Sequence, residues 1–143
     1  MSKDFSKWHA VKTIIENKYR GPFFREREIW WCSLGSNVGF EEDGKHDRFE
    51  RPVLILRKFN KEMCWALPLT SREKQGAYYH VLSLHGRTST VLLSQLRVLS
   101  VKRLIRRLGK VSETAFEELQ SSMVGLIKQT DSLRSPRVPN GNL

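Results

Sequence analysis

Arg51 is the first residue in this chain whose setting could support chemistry. It precedes Pro52 and the apolar stretch Val53-Leu54-Ile55-Leu56. Proline has no N–H to give to a sheet ladder and belongs at the first residue of a strand, which leaves Arg51 at the mouth of a sheet rather than inside it. A guanidinium in that place stays charged at physiological pH and offers planar donors to paired oxygen acceptors. A second apolar run ends in Pro68-Leu69-Thr70-Ser71, bringing two hydroxyls to the end of a neighbouring strand. The polar loop ahead of Arg51 carries Glu41 and His46, the side chains there that are able to accept a proton.

The same loop holds Glu41, Glu42, Asp43, Asp47 and Glu50, a third of the chain's 15 Asp and Glu. That is enough carboxylate oxygen for Mg²⁺ or Ca²⁺, yet the spacing follows no calcium-loop pattern, and acids in a glycine-containing loop are ordinarily solvated. Elsewhere the balance is basic: 25 Lys and Arg give a net charge of +10 over 143 residues. By long-range attraction such a charge favours an anionic partner, whether nucleic acid, an acidic protein segment or a lipid surface. Its densest part is Lys102, Arg103, Arg106 and Arg107, just beyond Arg97, where an anion-binding patch competes with plain solvated surface. Cys32 and Cys64 show neither CxxC nor paired-His spacing, so two buried thiols are expected rather than a zinc or redox site.

These groups need a frame, and the apolar pattern supplies one. Phe5, Trp8, Val11, Ile15 and Tyr19 recur at helical steps before Gly21-Pro22, predicting an amphipathic helix over residues 4 to 19 that docks on the rest. Residues 27 to 34 read as a strand in which Trp30 and Trp31 point to opposite faces, one into a core and one over an edge or interface. Residues 53 to 59 and 63 to 70 form a central hairpin about Asn60-Lys61-Glu62. Residues 77 to 84 and 88 to 93 form a second about His85-Gly86-Arg87, which leaves His80 and His85 as hairpin residues, and residues 96 to 99 make a short last strand. Ser100 is expected to cap a brief basic helix ended by Gly109, and Ser112 a final helix with Phe116, Leu119, Met123, Leu126 and Ile127 along one stripe.

The predicted fold is therefore mainly β with helices, a small barrel or curled antiparallel sheet. Residues 1–25 form an N-terminal helical extension, 26–129 the barrel, and 130–143 a polar tail expected to be disordered. At 143 residues one core suffices without disulfides or a structural metal. No apolar run approaches bilayer-spanning length, and the start lacks the features of a secretory signal, so a cytoplasmic protein without membrane contact is expected.

Taken together, Glu28-Ile29-Trp30-Trp31, Gly39-x-Glu41, Arg51-Pro52 with its apolar strand, Pro68-Leu69-Thr70-Ser71 and Leu93-Ser94-Gln95-Leu96-Arg97 resemble the MazF/PemK family of toxin endoribonucleases over roughly residues 26 to 128. The resemblance implies an SH3-like curled barrel acting as a homodimer that cuts single-stranded RNA without a metal or other cofactor. It also implies a cognate antitoxin that lays an acidic segment across the RNA groove. Two departures stand out: the loop from Gly39 to Arg51 is longer than usual, and Ser94 stands where many members have an acid, so no catalytic carboxylate is carried over there.

Metal-free RNA cleavage needs a base for the 2′-OH, positive donors for the crowded phosphorane and an acid for the departing oxygen. Arg51 is the candidate for the donor role and for the acid, Thr70 and Ser71 could hydrogen-bond the scissile phosphate from the neighbouring strand's end, and Glu41 and His46 are the loop's proton acceptors. His46, Gln95, Arg97, Lys102, Arg103, Arg106 and Arg107 are the candidate RNA-binding residues. Two other readings compete. One is a non-catalytic basic barrel that holds RNA or an acidic protein; the other is a metal-dependent nuclease using the loop acids.

Overall fold

The computed structural model describes residues 2–128. Helix α1 spans Phe5–Glu16 and is capped by the Asp4 carboxylate, which accepts from the Lys7 N–H at 2.9 Å. Seven strands follow: β1 Glu28–Ser33, β2 Glu50–Lys58, β3 Met63–Thr70, β4 Tyr79–Leu84, β5 Arg87–Leu92, β6 Arg97–Ser100 and β7 Leu104–Lys110. Helix α2, Glu113–Lys128, closes the described chain. The expected tail of residues 130–143 lies outside the described residues.

The strands form one antiparallel sheet in the order β4-β5-β3-β2-β1-β7. Strand β3 divides its length between two partners: Met63 to Ala66 pair with β6, and Leu69 and Thr70 pair with β5. A strand that changes neighbour midway forces the sheet to curl, giving a mainly-β half-barrel with two packed helices. Two tight links set the hairpins. Asn60 Oδ1 accepts from the N–H groups of Glu62 and Met63 between β2 and β3, while His85 and Gly86, both at positive φ, turn β4 into β5.

Alternation along β2 sends side chains to two cores. Val53 and Ile55 join Trp30, Cys32, Leu34, Cys64, Ala66 and Leu99 inside the curl. Leu54 faces the other way, with Ile29, Leu67 and Leu69, and packs under Phe116, Leu119 and Met123 of α2. Arg51 shares the parity of Val53, so its side chain leaves the strand on the side of the first core. Trp30 is buried there while Trp31, on the opposite face, is half-buried beneath Arg106.

Four expectations are corrected. Pro52 is the third residue of β2 and not its first, so Arg51 lies within the ladder opposite Cys32 and is buried, because β1 goes on pairing past the proline. No basic helix runs from Ser100 to Gly109: a short 3₁₀ turn, Val101–Arg103, leads into β7, which pairs with β1. The spacing of Val101, Leu104, Ile105 and Leu108 suits one helical face, but the edge of β1 needs ladder partners for its backbone, and that tertiary demand wins. In α1 the stripe stops at Ile15; Tyr19 lies beyond the helix and is 95% exposed. On α2, Leu126 packs against the core, whereas Ile127 is exposed.

Candidate active site

The β2–β3 register pairs Val53 with Pro68 and Leu54 with Leu67. Carried on by two residues, it sets Arg51 opposite Thr70. The side chain confirms the neighbourhood, because Arg51 Nη1 donates to the Leu69 carbonyl at 3.0 Å. Arg51 is only 8% exposed, and each of its three nitrogens has a protein acceptor. Nε donates to the Asp43 carbonyl, and Nη2 meets the Glu42 carboxylate at 2.7 Å. Burial pushes the guanidinium below the ordinary arginine range, with Glu42 and Asp43 pulling it back.

The segment from Leu34 to Glu50 makes this enclosure. Lys45 and Glu50 exchange both backbone hydrogen bonds, folding residues 45–50 into a small hairpin, and the Phe49 carbonyl receives the N–H groups of Leu34 and Gly35. Gln95 clamps the other side: its Oε1 accepts from the Glu42 N–H and its Nε2 donates to the Phe40 carbonyl, each at 3.2 Å. Glu41 is exposed, and its carboxylate accepts from the Val38 N–H at 2.8 Å. With Phe40, Ser94, Gln95 and Arg97 it lines a cleft of about 490 Å³. Phe40 stands at its edge fully exposed, an aromatic face of the kind that stacks on unpaired bases.

On the other side of Arg51, Thr70 is half-buried and its hydroxyl accepts from the Arg72 N–H at 3.2 Å, while Ser71 is exposed. Thr70 pairs across β5 with Thr90, whose buried hydroxyl has no hydrogen-bond partner among the described residues.

The remaining sequence candidates scatter. Arg97 donates to the Leu34 carbonyl at 3.3 Å from the rim of the cleft. Arg103 donates to the Ser33 carbonyl beneath the Trp8 ring, and burial pushes its guanidinium down as well. Lys102 donates to the Glu16 carbonyl at the end of α1. Arg106 lies over Trp31 and near Glu50, and Arg107 pairs with the buried Glu28 at 3.0 Å. His46 is exposed on the small hairpin with φ +66°. The structure thus brings together Arg51, Thr70 and Ser71, and separately Glu41, Gln95 and Arg97. It does not gather Lys102, Arg103, Arg106 and Arg107 on one face.

The loop acids do not converge either. Glu42 pairs with Arg51, Asp43 with Lys3 at 3.0 Å and Asp47 with Lys7 at 2.9 Å. Among the described residues no group of three or more His, Cys, Asp or Glu is arranged to hold a metal ion. Sequence reasoning missed the Glu42 contact with Arg51 and the reach of Lys3 and Lys7. The acidic run was a visible signal, but nothing in it says which acid finds the arginine.

Fold and site define a class of small, curled antiparallel half-barrels with an Arg-Pro strand start set against a Thr-Ser strand end. Residues 25–125 match the PemK-like, MazF-like toxins of type II toxin-antitoxin systems, and the chain belongs to that family. Its fold is similar to MazF from Deinococcus radiodurans, with 23% identity, 75% of this chain and 98% of that one covered, and a TM-score of 0.63. A chain of a MazE-MazF complex from the same organism is similar at 20% identity, covering 76% and 100%, with a TM-score of 0.58. So is a chain described as an endoribonuclease in complex with its cognate antitoxin from Mycobacterial species, at 14% identity, 77% and 98% coverage and a TM-score of 0.56. No curated protein matches the chain.

Proposed function

We propose that this toxin-family chain is a metal-independent endoribonuclease that cuts single-stranded RNA by attack of a 2′-oxygen on the adjacent phosphorus. A base takes the 2′-OH proton, the new O–P bond forms as the bond to the 5′-oxygen breaks, and that oxygen leaves with a proton from an acid, for which Arg51 is the candidate. The products are a 2′,3′-cyclic phosphate and a 5′-hydroxyl. Arg51 faces the pentacoordinate phosphorus oxygens, where a two-point donor is worth most because charge accumulates there in the transition state. Thr70 and Ser71 hydrogen-bond the same phosphate from the end of β3, and Glu41, which lines the adjoining cleft apart from Arg51 in the resting structure, is the proton acceptor once RNA draws the loop onto the 2′-OH.

The observation that carries this reading is the bond from Arg51 to the Leu69 carbonyl, which seats the guanidinium beside Thr70. The cleft lined by Glu41, Gln95 and Arg97 gives the strand a path, with Phe40 as a stacking surface. A net charge of +10 draws RNA and an acidic antitoxin segment alike. Family membership supports a cognate antitoxin, and we infer a homodimer that works in the cytoplasm. Arg51→Ala separates this reading from a barrel that only binds RNA. A catalyst loses far more turnover than its loss of affinity explains, whereas a plain phosphate contact loses affinity alone and flattens its salt dependence.

A further inference from the structure

Helix α1 lies outside the segment that matches the family, yet it is fastened to the loop that encloses Arg51. Lys3 Nζ donates to the Asn37 and Gly39 carbonyls and pairs with the Asp43 carboxylate. Lys7 pairs with Asp47, and the Trp8 ring meets Phe49 edge-on with centroids 5.4 Å apart. Asp43 joins the two systems directly, its side chain bound by Lys3 and its carbonyl receiving Arg51 Nε. From the far side Gln95 holds the Glu42 N–H, so the Glu42 carboxylate is presented to Arg51 by a loop pinned at both flanks.

We propose that Glu42 is a built-in anion occupying the phosphate position on Arg51 in the resting protein, and that α1 and the residues just before it strap the loop shut, with Lys3 ahead of the helix and Lys7 and Trp8 on it as the positioning residues. The proposal rests on the reading of Arg51 as a phosphate-binding group. Single-stranded RNA must displace the Glu42 carboxylate to reach the guanidinium. The design suits release: the Lys7–Asp47 tie is exposed and weak, the Lys3–Asp43 tie is only partly buried, and Trp8, Ile15 and Phe49 form a small cluster apart from the two main cores. While closed molecules dominate, apparent RNA affinity falls by the fraction that is open.

The test is equilibrium binding of a mixed-sequence single-stranded RNA with every 2′-hydroxyl methylated, which 2′-oxygen attack cannot cleave. It compares the full-length protein with Glu42→Gln, a Lys3→Ala/Lys7→Ala double variant and Arg51→Ala, alongside hydrogen exchange of the loop amides. If the open form is about a tenth of molecules, Glu42→Gln binds roughly tenfold more tightly. The double variant speeds exchange at the Gly44 and Lys45 amides and also tightens binding. Binding is the readout because Glu41 rides on the same loop and turnover mixes both effects. Unchanged or weaker binding by Glu42→Gln, with Arg51→Ala impaired in cleavage, overturns the built-in anion and leaves the site reading standing. Faster loop exchange without tighter binding in the double variant overturns the strap. Should Glu42→Gln fail to fold, the double variant, with Lys7 exposed and Lys3 partly buried, carries the test. Full binding and cleavage by Arg51→Ala removes the site reading and this proposal with it.

Discussion

Arg51 Nη1 donates to the Leu69 carbonyl at 3.0 Å, tying the start of β2 to the end of β3. The bond fixes where the guanidinium sits without neutralising it, since a carbonyl carries no net charge. Thr70 is the next residue along β3, so the positive group and the hydroxyl are held by one strand pair rather than by separate loops. Sites built on paired strands keep their geometry better than loop sites, and transition-state stabilisation depends on that precision.

Arg51→Lys keeps a charge but loses the planar fork. Cleavage should fall by about 10²–10³-fold, the usual loss when a preorganised donor to a developing oxyanion is removed. Single-turnover kinetics on RNA in excess enzyme checks it, and near wild-type rates would leave Arg51 outside the chemistry.

Gly35→Ala tests how α1 is seated. Gly35 has φ +99°, where side chains are strained, and an added Cβ would come within 2.4 Å of the Trp8 ring. The substitution should cost about 1–3 kcal/mol of stability by urea unfolding, with faster exchange in residues 34–50. An unaltered unfolding midpoint would mean that the helix does not rest there.

His80 supplies a pH dependence. Burial pushes its imidazole below the ordinary 6.5, with Glu118 opposing. The unfolded chain therefore takes up a proton near pH 6.5 while the folded one resists until lower pH. Stability is full above 6.5 and falls as pH drops below it, down to the folded value. His80→Gln should flatten that part of the curve, measured by urea unfolding across the acid range; an unchanged slope would place its origin elsewhere.

Burial pushes the Cys32 thiol up to about 12 and Cys64 to about 11. Both thiols stay protonated at physiological pH, and both are enclosed in the first core. An aromatic disulfide reagent at pH 8 should label neither until denaturant is added. Rapid labelling of the native protein would contradict the packing of β1 against β3.

The centre of the molecule was legible because its signals are local. Asn60 marks a tight link and the apolar runs around it have nowhere to go but a core, whereas Pro52 misplaced the strand start by two residues, because β1 pairs on past it to Arg51 and Glu50. The pairing of Arg51 with the Thr70 strand end follows from those boundaries once the hairpin is drawn. Strand β7 was hidden because Leu104, Ile105 and Leu108 fit a helix as well as a strand, and only the open edge of β1 decides between them. The Glu42 contact was hidden for a different reason. A loop's path depends on what fastens it, and here the fasteners are Gln95 and Lys3, 53 residues after Glu42 and far before it.

The central claim is that Arg51 and Thr70 act on one phosphodiester, and cleavage of single-stranded RNA in EDTA with end-group analysis tests it most directly. Wild-type protein, free of any antitoxin and shown to be folded, should leave 2′,3′-cyclic phosphate and 5′-hydroxyl ends at a short recognition sequence. Arg51→Lys and Thr70→Val should each lose that product. Intact RNA with the wild-type protein, or the same ends at undiminished rate from both variants, would contradict it.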